Sequence, residues 1–253
     1  MLKNKLLMPK IYFIGGSGYL GNYISNFIPQ ECFNLRSWEF VDQIESHSTL
    51  LYLAGESNTK FYENLSISSL NYCKNNLLFY CKKELNLIYF SSTSVIHSPI
   101  SKYAKFKLEC ERICSDYGKT IIRLSSIFGG EYNRNVIVND IYKIINNKKE
   151  KLKSPNSYVN ISSINLLTKS ILNILKIENK NNIYNLCMKN SIKASDLLDL
   201  AYFIKKQNHA SLNYIEEFKC SEKPHYDTSN SEKFLYWDPK IPIADLKKHF
   251  LNL

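Results

Sequence analysis

The sequence feature that most constrains the fold is a glycine cluster directly after the first apolar run of the chain. Lys10–Ile14 is predicted to be a short strand, and Gly15-Gly-Ser-Gly18-Tyr-Leu-Gly21 follows it. A helix after this cluster is indicated by apolar residues at intervals of three and four, namely Leu20, Tyr23, Ile24 and Phe27. A strand, a tight glycine turn and a helix N-terminus in this order form a typical binding site for the phosphates of a dinucleotide.

Short apolar strands and helices alternate along the rest of the chain. The further strands are predicted at Cys32–Leu35, Leu50–Ala54, Leu87–Ser91, Thr120–Leu124, Tyr158–Ile161 and Ile183–Cys187. The helices between them are predicted at Leu70–Lys83, Tyr103–Tyr117 and Asn165–Leu175. Continuous apolar strands that alternate with helices are typical of a parallel sheet covered on both faces. Right-handed crossovers then predict an α/β protein with a Rossmann-type, doubly wound parallel sheet.

Charge and composition narrow the classes of partner. No apolar run approaches the roughly 20 residues that span a bilayer, and the apolar part of the N-terminus, Leu6–Met8, is too short for a signal peptide. The net charge is +10, but the lysines are dispersed among Asn and Ile, which favours a solvated surface over a nucleic-acid-binding face. Seven cysteines, an odd number without a C-x-x-C pair, indicate free thiols in a reducing compartment. We therefore expect a cytoplasmic protein without a metal site.

Several motifs occur in an order that resembles one enzyme family. They are the G-x-x-G-x-x-G turn, Leu51-Tyr-Leu-Ala54-Gly55, Tyr89-Phe-Ser91-Ser92-Thr-Ser-Val95, Tyr103-Ala-Lys-Phe-Lys107, Arg123-Leu-Ser-Ser-Ile-Phe-Gly129, Lys223-Pro224 and Leu235-Tyr-Trp237-Asp-Pro239. The set resembles the extended branch of the short-chain dehydrogenases/reductases, the NAD-dependent epimerase/dehydratase family that modifies nucleotide sugars. The resemblance implies a dinucleotide-binding core at residues 1–129, to which 158–187 return. A smaller substrate-binding lobe is then expected at 130–157 and 188–253.

The resemblance implies a catalytic triad of Ser92, Tyr103 and Lys107. Tyrosine and lysine four residues apart lie on the same face of a helix. An ammonium group beside a phenol favours the phenolate, which suits the phenol to proton transfer. Ser92, at the end of the preceding strand, is expected to hydrogen-bond the carbonyl or alkoxide oxygen whose proton Tyr103 handles. The three residues suit hydride transfer between a nicotinamide and a sugar carbon.

The resemblance also implies the residues that bind the cofactor. In addition to Tyr103 and Lys107 they are Gly15, Ser17, Gly18, Tyr19, Leu20, Gly21, Leu53, Ala54 and Gly55. An acidic residue at the end of the second strand selects NAD, whereas an arginine accommodates the 2′-phosphate of NADP. The sequence Asn34-Leu-Arg36-Ser37 contains no acid before Glu39. We therefore expect Arg36 to favour NADP(H), the alternative being that Arg36 is a solvated loop residue and that the cofactor is NAD(H).

Departures from the family pattern narrow the reaction. The residues implied to contact the substrate are Ser92, Thr93, Ser126 and Lys223. Dehydratases of the family have an acidic pair where Thr93 and Ser94 stand, so dehydration is disfavoured. Ser126 replaces the usual asparagine, and Lys223 offers a point charge where the family has an arginine fork. The gap of 103 − 92 = 11 residues between Ser92 and Tyr103 is shorter than in the epimerases and is similar to that of some capsular-sugar reductases.

These patterns predict an NADP-dependent reductase of a nucleotide-linked 4-keto-6-deoxy sugar, which would make a precursor of surface polysaccharide. The alternatives are an NAD-dependent nucleotide-sugar 4-epimerase and a non-catalytic relative that senses the cofactor or binds RNA. The resemblance also implies a homodimer built on two helices. Their apolar stripe would come from Leu77, Leu78, Cys81, Phe106, Cys110 and Ile113, unless these residues face the sheet instead.

Overall fold

The computed structural model describes residues 10–28, 31–35, 40–55, 59–130, 136–177, 182–206 and 221–251, with the backbone alone at 221–224. The described strands are β1 (Ile11–Ile14), β2 (Cys32–Leu35), β3 (Thr49–Tyr52), β4 (Asn86–Ser92), β5 (Thr120–Leu124), β6 (Ser126–Phe128), β7 (Tyr158–Val159), β8 (Ile161–Ser163), β9 (Ile183–Leu186), β10 (Asn190–Lys193) and β11 (Ser221–His225). The described helices are α1 (Tyr19–Ser25), α2 (Thr59–Asn64), α3 (Ile67–Cys81), α4 (Ser94–His97), α5 (Lys102–Asp116), α6 (Ile137–Ile145), α7 (Ile164–Ile174), α8 (Ala194–Lys206), α9 (Ser229–Leu235) and α10 (Ile243–Leu251).

Two compact units make up the chain. The first comprises Met1–Arg123 and Ile171–Tyr184, and the second comprises Leu124–Ser170 and Asn185–Leu253. This division differs from the predicted domain boundaries because it assigns 124–129, 158–170 and 185–187 to the second unit. The role of the second unit in binding substrate stays a prediction.

A six-stranded sheet in the order β2-β1-β3-β4-β5-β9 forms the centre of the first unit. The pairs β1–β2, β1–β3 and β3–β4 are parallel. Every residue of β1 and β3 is buried, as expected for strands that have both faces covered. The predicted Rossmann-type fold class is therefore confirmed, and β2 and β5 have the predicted bounds.

The structure corrects the predicted strand Tyr158–Ile161. Asn160 stands between two different strand pairings: its Nδ2 donates to the Met188 carbonyl oxygen at 2.8 Å and its Oδ1 accepts from the Met188 N–H at 2.9 Å, while its own carbonyl oxygen accepts from the Ser126 N–H of β6 at 3.1 Å. The strand is thereby divided into β7, which pairs antiparallel with β10, and β8, which pairs parallel with β6.

Helices α3 and α5 pack on the sheet through the residues that were predicted to form a dimer surface. Leu77, Cys81, Phe106 and Cys110 are buried in one core cluster with side chains of the strands. Leu78 and Ile113 are only partly buried. Four of the six predicted interface residues therefore face the sheet, because packing on its strands removes apolar surface from water, which is energetically favourable. The homodimer itself stays a prediction.

The described residues also bear on the predictions about cysteines and about membrane-spanning segments. The six cysteines in the described part of the chain are free thiols, and four of them are buried. None of the described helices is both long enough and apolar enough to span a membrane.

A histidine is buried in the core of the second unit. His249 of α10 is 5% exposed, and its ring centroid lies 5.7 Å from those of Phe128 and Tyr142 and 5.9 Å from that of Phe250. Burial among these groups disfavours the imidazolium and lowers the pKa of His249 to about 4.

We expect His249 to make the free energy of unfolding depend on pH between about 6.5 and 4. Below its ordinary pKa of about 6.5 the unfolded chain takes up a proton that the folded chain refuses, so stability decreases as the pH falls through this window. The full effect is about 3 kcal/mol at pH 4. Urea unfolding of the wild type and of His249→Phe from pH 7 to pH 4 measures it, since carboxylates contribute equally to both proteins. Parallel pH profiles for the two proteins would contradict the prediction.

Candidate cofactor and catalytic site

The glycine turn between β1 and α1 is closely packed at positions where only glycine fits. Gly15 has a φ of +85°, and a Cβ there would lie 3.0 Å from the backbone nitrogen of Ala54. The N–H of Gly18 donates to the Gly15 carbonyl oxygen at 3.1 Å and closes the turn. A Cβ on Gly21 would come within 2.5 Å of the Gly16 Cα, so a glycine is needed for α1 to approach β1 this closely.

The segment after β3 lies against this turn. The N–H of Leu53 donates to the carbonyl oxygen of Ile14 at 2.8 Å, which brings Leu53–Gly55 beside the glycines. Gly55 is exposed, and so are Ser17 and Gly18, the central residues of the turn. The other predicted cofactor residues here are half-buried, namely Tyr19, Leu20, Leu53 and Ala54. A turn closed on itself, exposed and without a bulky side chain fits a pyrophosphate that binds to backbone N–H groups.

A polar residue near the turn, Asn34, is not among the predicted cofactor-binding residues. A Cβ on Gly16 would collide with Oδ1 of Asn34, so the Asn34 side chain reaches over the glycine turn from β2. The position of Asn34 follows from its register opposite Phe13 on β1, which only the folded sheet supplies. Arg36, predicted to choose between NADP and NAD, lies outside the described residues.

Ser92 ends β4 and takes part in a local pair of hydroxyl groups. Its Oγ donates to Oγ of Ser94 at 3.0 Å and accepts from the Ser94 N–H at 3.2 Å. Both serines are half-buried, whereas Thr93 between them is 2% exposed. The Ser92 hydroxyl therefore has a fixed orientation, and the side chain of Thr93 is shielded from solvent.

Tyr103 and Lys107 occupy the first two turns of α5. The helix starts at a cap in which Oγ of Ser101 accepts from the Ala104 N–H at 3.2 Å. Both side chains are buried, and Nζ of Lys107 lies 6.0 Å from the Tyr103 ring centroid. The same ammonium donates to the carbonyl oxygen of Phe90 at 3.0 Å. This bond attaches Lys107 to β4 two residues before Ser92, so the three predicted catalytic residues belong to one helix and the strand beneath it.

An ion pair one helical turn after Lys107 attaches α5 to β5. Arg123 Nη2 lies 2.6 Å from Oε2 of Glu111, and Arg123 Nε donates to Oε1 at 2.9 Å. The Glu111 side chain is 4% exposed and that of Arg123 is 17% exposed. Two parallel bonds between a guanidinium and a carboxylate fix the orientation of both groups and thereby the position of the catalytic helix.

The two remaining predicted substrate residues belong to the second unit. Ser126 is half-buried on β6, and its N–H donates to the Asn160 carbonyl oxygen at 3.1 Å. Lys223 lies in β11, and its side chain is outside the described residues. Among the residues that the structure describes, no group of three or more His, Cys, Asp or Glu side chains could hold a metal ion.

Comparison with known proteins finds solved structures that share this fold. No protein-family model matches the sequence, and no curated protein sequence does. Among solved structures, RMD from Pseudomonas aeruginosa in complex with NADPH is 17% identical, with 97% of each chain covered and a TM-score of 0.71. UDP-N-acetylglucosamine 4-epimerase from Bacillus cereus is 16% identical, with 96% of this chain and 99% of that chain covered and a TM-score of 0.70.

A third similar structure is that of TunA, an NAD-dependent NDP-hexosamine 5,6-dehydratase of tunicamycin biosynthesis. It is 13% identical, covers 96% of this chain and 97% of its own, and has a TM-score of 0.72. The chain shares the fold of these proteins over almost its whole length.

Proposed function

We propose that the protein is a cytoplasmic NADP-dependent reductase of a nucleotide-linked 4-keto-6-deoxy sugar, which supplies a precursor of surface polysaccharide. The observation that carries the proposal is the combination of an uncovered glycine turn with a buried Tyr103–Lys107 pair on a helix attached to the strand of Ser92. The similarity to RMD in complex with NADPH supports the cofactor, and the similarity to a UDP-sugar epimerase supports the nucleotide-linked substrate.

The residues of the chain divide the work of the proposed reaction. The glycine turn and Leu53–Gly55 would hold the dinucleotide, whose reduced nicotinamide supplies a hydride when it is bound. Tyr103 donates a proton to the keto oxygen as this oxygen becomes an alkoxide. Ser92 would donate its hydroxyl proton to the same oxygen in place of Ser94 Oγ, to which it donates in this structure, while the bond from the Ser94 N–H to Ser92 Oγ keeps the side chain oriented. Ser126 and Lys223 are proposed to contact the nucleotide diphosphate.

Reduction is favoured over dehydration by the residues that follow Ser92. Elimination of water needs an acid and a base near the sugar ring. The two candidate positions hold a shielded Thr93 and a Ser94 whose Oγ accepts a hydrogen bond from Ser92. Neither side chain titrates near neutral pH, so proton transfer falls to Tyr103 alone.

An NAD-dependent 4-epimerase is the second candidate, because a fold neighbour with this activity covers nearly the whole chain. Between Ser92 and α5 the chain has room only for Thr93, the single turn of α4 and four further residues, 98–101. So short a connection leaves little chain to hold and release a sugar that must rotate between two half-reactions.

Incubation of the purified protein with NADPH or NADH and a panel of nucleotide-linked 4-keto sugars tests the proposal. Consumption of reduced cofactor is expected, whereas interconversion of the two C4 epimers of a nucleotide-linked 4-hydroxy sugar in a parallel incubation with NAD⁺, without net change in the cofactor, would favour the second candidate.

We expect NADPH to bind more tightly than NADH. Asn34, whose side chain reaches over the glycine turn from β2, is neutral and does not repel a 2′-phosphate, and Arg36 is proposed to pair with that phosphate. Arg36→Ala should weaken NADPH binding about tenfold or more, through loss of a charge-assisted hydrogen bond worth about 1.5–3 kcal/mol. The affinity for NADH should hardly change.

Asn34→Asp is the matched control, because it adds a charge without changing the size of the side chain. It should lower the affinity for NADPH and preserve or raise that for NADH. Calorimetric titration of NADPH and of NADH into the wild type, Arg36→Ala and Asn34→Asp measures these affinities. Equal affinities of the wild type for the two cofactors would overturn the assignment.

A further inference from the structure

Helix α2 is anchored to the start of the catalytic helix. Nζ of Lys102, the first residue of α5, donates to the carbonyl oxygens of Glu63 at 3.1 Å and Leu65 at 2.8 Å. These carbonyl groups belong to the C-terminal end of α2 and the residue that follows it. The neighbour of Lys102 is Tyr103, so α2 is fixed beside the residue that is proposed to donate the proton.

Tyr62 of α2 faces Tyr103 from within the core. It is 2% exposed, and its ring centroid lies 4.9 Å from that of Tyr103 at an interplanar angle of 61°. The ring also packs against Phe106, with centroids 5.3 Å apart. Edge-to-face contacts of this kind have preferred geometries, so a buried ring in such a contact restricts the orientation of its neighbour.

The hydroxyl group of Tyr62 points to Gly55, in the segment that follows β3. A Cβ on Gly55 would lie 3.0 Å from Oη of Tyr62 and 3.5 Å from Nζ of Lys107. Both polar atoms therefore lie close to the position that a side chain of residue 55 would occupy. The φ of +134° at Gly55 also favours glycine. Tyr62 thus contacts Tyr103 with its ring and reaches the surroundings of Lys107 with its hydroxyl.

We infer that Tyr62 is a positioning residue, whose ring holds the phenol of Tyr103 in the orientation that proton transfer to the substrate requires. Nothing in the sequence pattern of the triad includes it. Without this ring, Tyr103 would gain side-chain freedom on the face where Tyr62 now packs. Misplacement of a reacting group by about 1 Å can lower a rate by up to about 100-fold. The inference rests on the proposed function in so far as it assigns proton donation to Tyr103.

The test compares Tyr62→Leu, which removes the ring, with Tyr62→Phe, which keeps the ring and removes the hydroxyl. We expect Tyr62→Leu to lower kcat about tenfold or more while the Kd of NADPH stays nearly unchanged. Tyr62→Phe should restore kcat to nearly the wild-type value. Leu77→Ala is the control, because it removes a buried side chain of α3 from the same core cluster. It should lower stability without lowering kcat.

A spectroscopic measurement gives an answer that does not depend on turnover. In protein labelled with ¹³C-tyrosine, the resonance of Tyr103 is the one that is lost in Tyr103→Phe. It should shift in Tyr62→Leu and stay in place in Tyr62→Phe and Leu77→Ala. Should Tyr62→Leu fail to fold, Tyr62→Met fills a similar volume with a flexible chain and is expected to give the same shift.

An unshifted Tyr103 resonance together with wild-type kcat in Tyr62→Leu would overturn the inference, as would equal effects of Leu77→Ala. If the wild type reduces no ketosugar of the panel, the proposed function fails, and the resonance of Tyr103 still decides whether Tyr62 positions it.

Discussion

Replacing Tyr103 with phenylalanine is expected to lower kcat about 10²–10⁴-fold and to leave the Kd of the cofactor nearly unchanged. The phenyl ring fills the same buried space beside Tyr62 and Lys107, but it has no proton to transfer. The loss therefore appears in the chemical step, and steady-state kinetics with a separate cofactor titration measures the two quantities. Tyr117→Phe, at the exposed C-terminal end of the same helix, is the control that should change neither.

The other members of the triad should respond differently. Lys107→Ala removes both the ammonium beside Tyr103 and the bond to the Phe90 carbonyl, so cofactor affinity and kcat should fall together. Ser92→Ala should have an intermediate effect, since it removes one hydrogen bond to the developing oxyanion. A Tyr103→Phe protein that turns over a ketosugar at nearly the wild-type rate would contradict this division of roles.

Removal of the Glu111 carboxylate is expected to lower the free energy of unfolding by about 3–5 kcal/mol. Glu111→Ala leaves the guanidinium of Arg123 without its bidentate partner at a site with little access to water. Denaturant unfolding of the wild type and of Glu111→Ala measures the difference.

The same helix offers a matched control on its solvent-exposed side. Glu109 pairs with Lys74 at 2.8 Å, but its side chain is 49% exposed. Because water solvates such a pair whether or not it forms, Glu109→Ala should cost less than about 1 kcal/mol. Similar losses of stability in Glu109→Ala and Glu111→Ala would show that burial does not determine the contribution of the Glu111–Arg123 pair.

Local patterns in the sequence suffice for the sheet of the first unit and for the elements that carry the proposed triad. The apolar runs of β2 and β5 and the Tyr103–Lys107 spacing on α5 are each read from a few adjacent residues. The division of the predicted strand at Asn160 is different in kind, because it depends on a hydrogen-bond partner, Met188, that is distant in sequence. A sequence pattern without that contact predicts one continuous strand.

The same reason explains which site residues escaped the sequence analysis. Asn34 reaches the glycine turn only through the register of β2 on β1, and Tyr62 meets Tyr103 only because α2 packs beside α5. Neither residue belongs to a motif, and both are placed by tertiary contacts. Four residues of the predicted dimer surface face the sheet for a related reason, because an apolar stripe on a helix does not by itself distinguish a sheet from a partner subunit.

The most direct test of the central claim is the fate of the hydride in the proposed reaction. The purified protein is incubated with NADPH that carries deuterium at the transferable position and with the nucleotide-linked 4-keto sugar that it consumes fastest. We predict a 4-hydroxy product that contains one deuterium on the former keto carbon, together with one equivalent of oxidised cofactor, and little or no labelled product from Tyr103→Phe over the same time. Tight cofactor binding without any product, or epimerisation at C4 of a nucleotide-linked 4-hydroxy sugar in a parallel incubation with NAD⁺, would contradict the proposal that this protein is a reductase.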